Sequence, residues 1–144
     1  MREFILIKGK TVEKKKRISV KSAKSKGRTF QQFIAKKISE ITGIPTQKDG
    51  DIESRPMSQA GVDVILRGKA LELFPFSVEC CSSQNWGIHK KIEQAKANQM
   101  KGTTWLCFFK RNREKPIAAL DAEVFFKIYN TYLRMQEIIN KELQ

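Results

Sequence analysis

Negative charge is what this sequence has least of: 15 aspartates and glutamates stand against 28 lysines and arginines, a formal net charge of +13. That imbalance excludes a basic partner and implies a polyanion held by counterion release, either nucleic acid or an anionic membrane surface. Histidine is nearly absent too. His89 is the only one, so a His-based metal site or a His-driven nucleophile lacks partners, and His89 reads as a helix-start residue near phosphate. The three cysteines, Cys80, Cys81 and Cys107, have neither the paired spacing of a zinc site nor that of a secreted disulfide framework. Reduced thiols are expected. No apolar run approaches the roughly 20 residues of a membrane span, and residues 1–8 hold too short an apolar run for a signal peptide, so a cytoplasmic protein without membrane contact is expected. Internal repeats and long low-complexity segments are also missing.

What is there is enough for one domain: 144 residues, 40% of them hydrophobic, bury a real core. Residues 1–28 hold a short β-like run, Phe4-Ile5-Leu6-Ile7, and then most of a basic cluster that includes Lys14, Lys15, Lys16, Arg17, Lys21, Lys24, Lys26 and Arg28. Ser and Gly among these charges suit an arm that orders on a phosphate backbone, and equally a solvated terminus. Residues 29–144 form the domain. Phe30, Phe33, Ile34, Ile38 and Ile41 recur at helical spacing after Thr29, a candidate cap, until Gly43 and Pro45. Residues 46–61 read as a polar loop. Strands are expected at residues 62–66, 76–80, 104–109 and 116–120, with helices from Ile88 to about Gln99 and after Asp121. Helix, strand, strand, helix, strand, strand, helix is an α/β order, a mixed sheet flanked by helices. In the last helix Phe126, Tyr129 and Tyr132 leave little room for a wholly polar outer face, which fits a partner or dimer surface.

Chemistry concentrates on two strands. Alternation places Glu79 and Cys81 on one face of their strand and Val78 and Cys80 on the other. Asp63 sits between Val62 and Val64 on the preceding strand, and antiparallel pairing would bring the two carboxylates together. Adjacent carboxylates repel unless a cation lies between them, and oxygen ligands of this kind suit Mg²⁺ or Mn²⁺. A metal there would activate water for phosphodiester hydrolysis. The same spacing also fits two solvent-facing strand residues.

Several ordered motifs carry a resemblance: Gly61-Val62-Asp63-Val64, then Phe74-Pro75-Phe76-Ser77-Val78-Glu79-Cys80, then Glu93-Gln94-Ala95 on a helix. Together they resemble the PD-(D/E)xK nuclease superfamily, most closely its Holliday-junction-resolvase-like phage and prophage branch. Lys26-Gly27-Arg28-Thr29-Phe30-Gln31 is similar to the start of the first helix there, and Arg113-Glu114-Lys115-Pro116-Ile117, with Asp121 and Phe125, to the tail. The resemblance runs from about Lys26 to Ile128. It implies a restriction-endonuclease-like fold and a DNA endonuclease acting on Holliday junctions or other branched DNA. Asp63 and Glu79 are implied as metal ligands, completed by the Cys80 backbone carbonyl. Gln31 takes the place of a first-helix glutamate, Ser58 that of a serine near the scissile phosphate, and Gln94 matches a glutamine after the glutamate strand. Ser58 and Gln94 also fit ordinary surface roles. A two-fold homodimer follows from cutting a symmetric junction, and the host cytoplasm from a phage origin.

The departure is Cys81, where the family pattern has a lysine that orients the attacking water and balances charge, tasks a neutral thiol performs poorly. Three accounts stand. Lys90 or Lys91 on the following helix reaches in; the chain binds nucleic acid without cutting it; or a Cys81 thiolate joins the shell of a softer metal such as Mn²⁺ or Zn²⁺. Arg55, Arg67, Lys69, Lys110, Arg111 and Arg113 flank the strands and fit the walls of a phosphate-binding groove, and Trp86 fits either base stacking or core packing.

Overall fold

A computed structural model describes residues 4–7, 10–13 and 18–144. The strands β1 (Phe4–Ile7) and β2 (Lys10–Glu13) pair antiparallel as a separate two-stranded ribbon. Helix α1 (Val20–Thr42) starts at Ser19, whose hydroxyl accepts from the Ser22 amide. It stops at Gly43, where φ of 73° suits a residue without a Cβ and the amide donates to the Ser39 carbonyl. The expected start at Thr29 is therefore corrected to Val20, and Thr29 bonds the Ser25 carbonyl from within the helix. Lys21, Lys24, Lys26 and Arg28 belong to α1 and not to an arm, so the boundary drawn at residue 28 falls inside a helix. Apolar periodicity could not show this because the first turns of α1 run beyond the core and bury nothing; lysine and arginine still favour the helix there. Arg17 lies outside the described residues.

Five further strands form the main sheet in the order β3-β4-β5-β6-β7: β3 (Ile52–Ser54), β4 (Val64–Leu66), β5 (Phe76–Ser82), β6 (Thr104–Lys110) and β7 (Ile117–Leu120). Pairing is antiparallel except for β5 with β6, which run parallel. Strand β3 corrects the loop expected over 46–61. It has one apolar residue, the fully buried Ile52, so it shows no alternation by itself and exists because β4 supplies its ladder, Ile52 opposite Leu66. The short helix α2 (Gly68–Leu73) was also not expected; it seats Ala70 in the core, and the Asp51 carboxylate accepts from the Lys69 amide at its start.

Helix α1 covers one face of the sheet, where Phe30, Ile34 and Ile38 pack against Ile52, Val64, Leu66 and Val78. The other face carries α3 (Ile88–Ala97), the crossover joining parallel β5 and β6. Its Ala95 meets Trp105, Cys107 and Phe109, with Trp86 packed alongside. This is an α/β fold, a five-stranded mixed sheet flanked by helices, consistent with a restriction-endonuclease-like arrangement. Last comes α4 (Ala122–Glu142), capped by Asp121, whose carboxylate accepts from the Glu123 amide at 2.9 Å. Among the described residues no helix is long and apolar enough to cross a membrane.

Candidate active site

Asp63 stands one residue before β4, between buried Val62 and buried Val64. Its amide donates to the Val78 carbonyl at 2.9 Å, and Val78 is also the partner of Val64. Two residues of one strand thus face one of the other, the geometry of a bulge, which re-aims a side chain. The Asp63 carboxylate is aimed at β5 and α1: Oδ2 accepts from the Cys80 amide at 2.8 Å and Oδ1 from the Gln31 side-chain amide at 2.7 Å. Glu79 follows Val78 on β5 and points to the α3 side, the face opposite that of Val78 and Cys80, as alternation requires.

Glu79 is only 4% exposed. Asn98 at the end of α3 donates to its Oε1 at 2.7 Å, and Gln94 approaches Oε2 at 3.5 Å. Burial pushes the carboxyl up to about 7; the Asn98 hydrogen bond opposes this, and the neighbouring Asp63 charge adds to it. Among the described residues no ion pair neutralises either carboxylate. Lys91 is the cation at the site: its Nζ donates to Gln94 Oε1 at 3.2 Å and its charge favours ionised Glu79. Lys91, Gln94 and Asn98 recur at three- and four-residue spacing and form one face of α3. Lys90 points to solvent, so the helix lysine at this site is Lys91.

No protein-family model matches the chain, and searches of curated proteins and of solved structures return no similar chain. The site therefore has to be understood from its own atoms. Among the described residues no three His, Cys, Asp or Glu side chains converge on a point. Two carboxylates do meet, and beside Asp63 stands Gln31, 6% exposed, whose Oε1 is buried with no hydrogen-bond partner among the described residues. Buried acceptors are rarely left so. Two carboxylates with an unpartnered amide oxygen nearby are oxygen donors of the kind that could hold a hard cation or its bound water.

Cys81 is half-buried on the Glu79 face, packed beside Ala95 and Cys107. Burial raises its thiol above the ordinary value, with Lys91 opposing and Asp63 adding, so it is a neutral thiol at neutral pH. Cys80 turns its side chain into the α1 core, and its backbone lies against Asp63.

The arginines expected to meet phosphate divide into two sets. Arg28 donates to the carbonyls of Ser54 and Arg55 at 3.2 and 2.7 Å, and Arg55 holds the Val62 carbonyl. Arg67 holds the Gly50 carbonyl at 2.7 Å and Glu53 at 3.0 Å. These three tie the loops around β3 and β4, and Arg55 among them holds the residue before Asp63. Lys69 pairs with Glu72 at 3.0 Å on the surface, and Ser58 sits in an exposed loop at φ 74°. Lys26 and Arg111, by contrast, line a cleft of ≈ 550 Å³ together with Lys110 and Arg113, over a floor of Phe30 and Phe33. Lys26 reaches Asn112 across it at 3.2 Å, and Arg111 lies 4.6 Å above the Trp86 ring.

Asn98 was missed by sequence reasoning. Its signal was present, four residues after Gln94 and seven after Lys91, but an amide at a helix end is an ordinary C-cap until a buried carboxylate is found beside it.

Proposed function

We propose that this chain is a metal-dependent nuclease that hydrolyses phosphodiester bonds in DNA at Asp63, Glu79 and Lys91. The observation that carries this reading is buried Glu79 beside half-buried Asp63, with no ion pair to either among the described residues, in a chain of net charge +13. A structural acid in so basic a chain would find an ion pair. Among the described residues these two find amides, which orient them without forming an ion pair.

Asp63, Glu79 and the Gln31 amide oxygen would hold Mg²⁺ or Mn²⁺, which supplies a more acidic water and an electrophile for the phosphoryl oxygen. Gln31 and the Cys80 amide hold Asp63 in place, and Asn98 and Gln94 hold Glu79. Lys91, fixed through Gln94, places a positive charge where phosphate charge builds, the task that Cys81 on the same face cannot perform. The cleft of Lys26, Lys110, Arg111 and Arg113 carries the adjoining phosphates, and branched DNA is the substrate that the motif resemblance implies.

Cleavage of labelled linear and four-way-junction DNA with Mg²⁺ or Mn²⁺ tests the reading. The natural chain is expected to cut, Asp63→Ala to be inactive, and Lys91→Ala to lose about 100-fold or more. A second reading, a DNA-binding module on the same fold, is favoured by Cys81. It predicts metal-independent binding, no cutting by the natural chain, and activity only after Cys81→Lys.

A further inference from the structure

Helix α4 buries none of its residues, although large apolar side chains run along most of its length. Phe125, Ile128, Tyr132, Met135 and Ile139 repeat at alternating three- and four-residue spacing, the seam of a helix that packs against another helix. In all, nine large apolar side chains of α4 are between 47% and 63% exposed. Glu123, Lys127, Arg134, Glu137 and Lys141 follow the same heptad spacing on the opposite side and form one stripe, and only Glu142, at the last turn, falls in line with the seam. A single helix of 21 residues is marginal in water by itself and draws its stability from packing.

We infer that the seam of α4 is the interface of a homodimer, in which two copies of this helix pair antiparallel about Tyr132. Two observations select a second copy. The first is area: the seven large apolar side chains on the seam and its flanks, with Tyr129 and Ile138 beside the five above, are roughly 200 Å² each and about half exposed, so they present on the order of 700 Å², close to the about 800 Å² per partner that specific complexes bury. The second is charge. Two bodies at +13 repel, but α4 is neutral, with Glu123, Glu137 and Glu142 balancing Lys127, Arg134 and Lys141. It is a surface on which two such molecules meet without adding to that repulsion, and one with no excess charge to attract nucleic acid. Antiparallel pairing follows from the same electrostatics. Each body joins its helix at the N-terminal end, so antiparallel helices hold the two bodies about 30 Å apart along the axis, several times the ~8 Å screening length. Helix dipoles oppose favourably in the same arrangement.

The test is the mass of the full chain in solution, which does not depend on the nuclease reading. Light scattering across micromolar concentrations is expected to give twice 16.6 kDa. The variant Tyr132→Lys/Met135→Lys is expected to be monomeric with its near-ultraviolet signal intact, since neither residue is buried in the protomer. Mild diamide oxidation is expected to link Tyr132→Cys to itself. Phe125→Cys and Ile139→Cys should link only when mixed, and the natural chain not at all. A monomeric natural chain at every concentration, its helix covered by its own N-terminal segment or by a different protein, overturns the proposal. So does a dimer that survives the double lysine variant, and self-linking of Phe125→Cys overturns the antiparallel arrangement.

Discussion

A carboxylate that is 4% exposed and beside a second carboxylate can lower the cost of its charge by holding a proton or by sharing a cation. Glu79 is pushed up to about 7 in the folded chain against an ordinary 4.5. The protonated form therefore favours folding: this contribution is complete below about pH 4.5 and is lost as pH rises through about 7. At pH 8 without metal the ionised side chain is expected to cost on the order of 3 kcal/mol. Glu79→Gln should accordingly be the more stable protein in urea at pH 8 and match the natural chain at pH 4.5; an equal gap at both pH values would contradict this account. Added Mg²⁺ should stabilise the natural chain increasingly above pH 7, as the site gives up its proton, and leave Glu79→Gln unaffected. Asn98 acts in the opposite direction to burial, so Asn98→Ala is expected to move half-maximal Mg²⁺ binding to higher pH, which titration calorimetry at several pH values would read.

At the scale of elements, the site depends on how closely α3 lies on the sheet. Ala95 is fully buried where α3 meets β6, so it sets the height of Lys91, Gln94 and Asn98 above Glu79. Ala95→Leu is expected to destabilise by about 1–3 kcal/mol through overpacking, and to weaken cleavage more than the stability loss accounts for, because the three polar groups lift together. Stability in urea and cleavage rate on folded protein separate the two effects. The start of α1 makes a separate prediction. Ser19→Ala is expected to cost about 1 kcal/mol as the loss of a helix cap, whereas Thr29, mid-helix and exposed, should tolerate alanine at a few tenths of that; urea midpoints of the two variants decide between a start at Val20 and one at Thr29.

On the scale of the whole molecule, a net charge of +13 would make affinity for any polyanion, DNA in the proposed reading, a matter of ionic strength, and the distribution of that charge decides which residues matter. Arg28, Arg55 and Arg67 hold loop carbonyls, so their alanine variants are expected to reduce folding stability. Lys110→Ala and Arg113→Ala, from the open cleft, are each expected to flatten the slope of log affinity against log salt by about 1 with stability unchanged. Fluorescence anisotropy across a salt series measures this.

Charge, the α/β class and the two acidic positions were legible in the sequence because each depends on local pattern. Alternation around Val78 put Glu79 on the face opposite Val78, and helical spacing marked α3 and α4 without reference to any neighbour. Other features depend on partners distant in the chain. Strand β3 exists through β4, the early turns of α1 carry no apolar signal, and an arginine that ties a loop has the same letter as one that meets a phosphate. Which of Lys90 and Lys91 turns inward, and that Asn98 completes the setting of Glu79, were decided by the seating of α3 against β5 and β6. Periodicity records which face of an element is apolar; the rotation and height at which two elements meet come from side-chain packing between segments far apart in sequence, and only the tertiary structure holds that information.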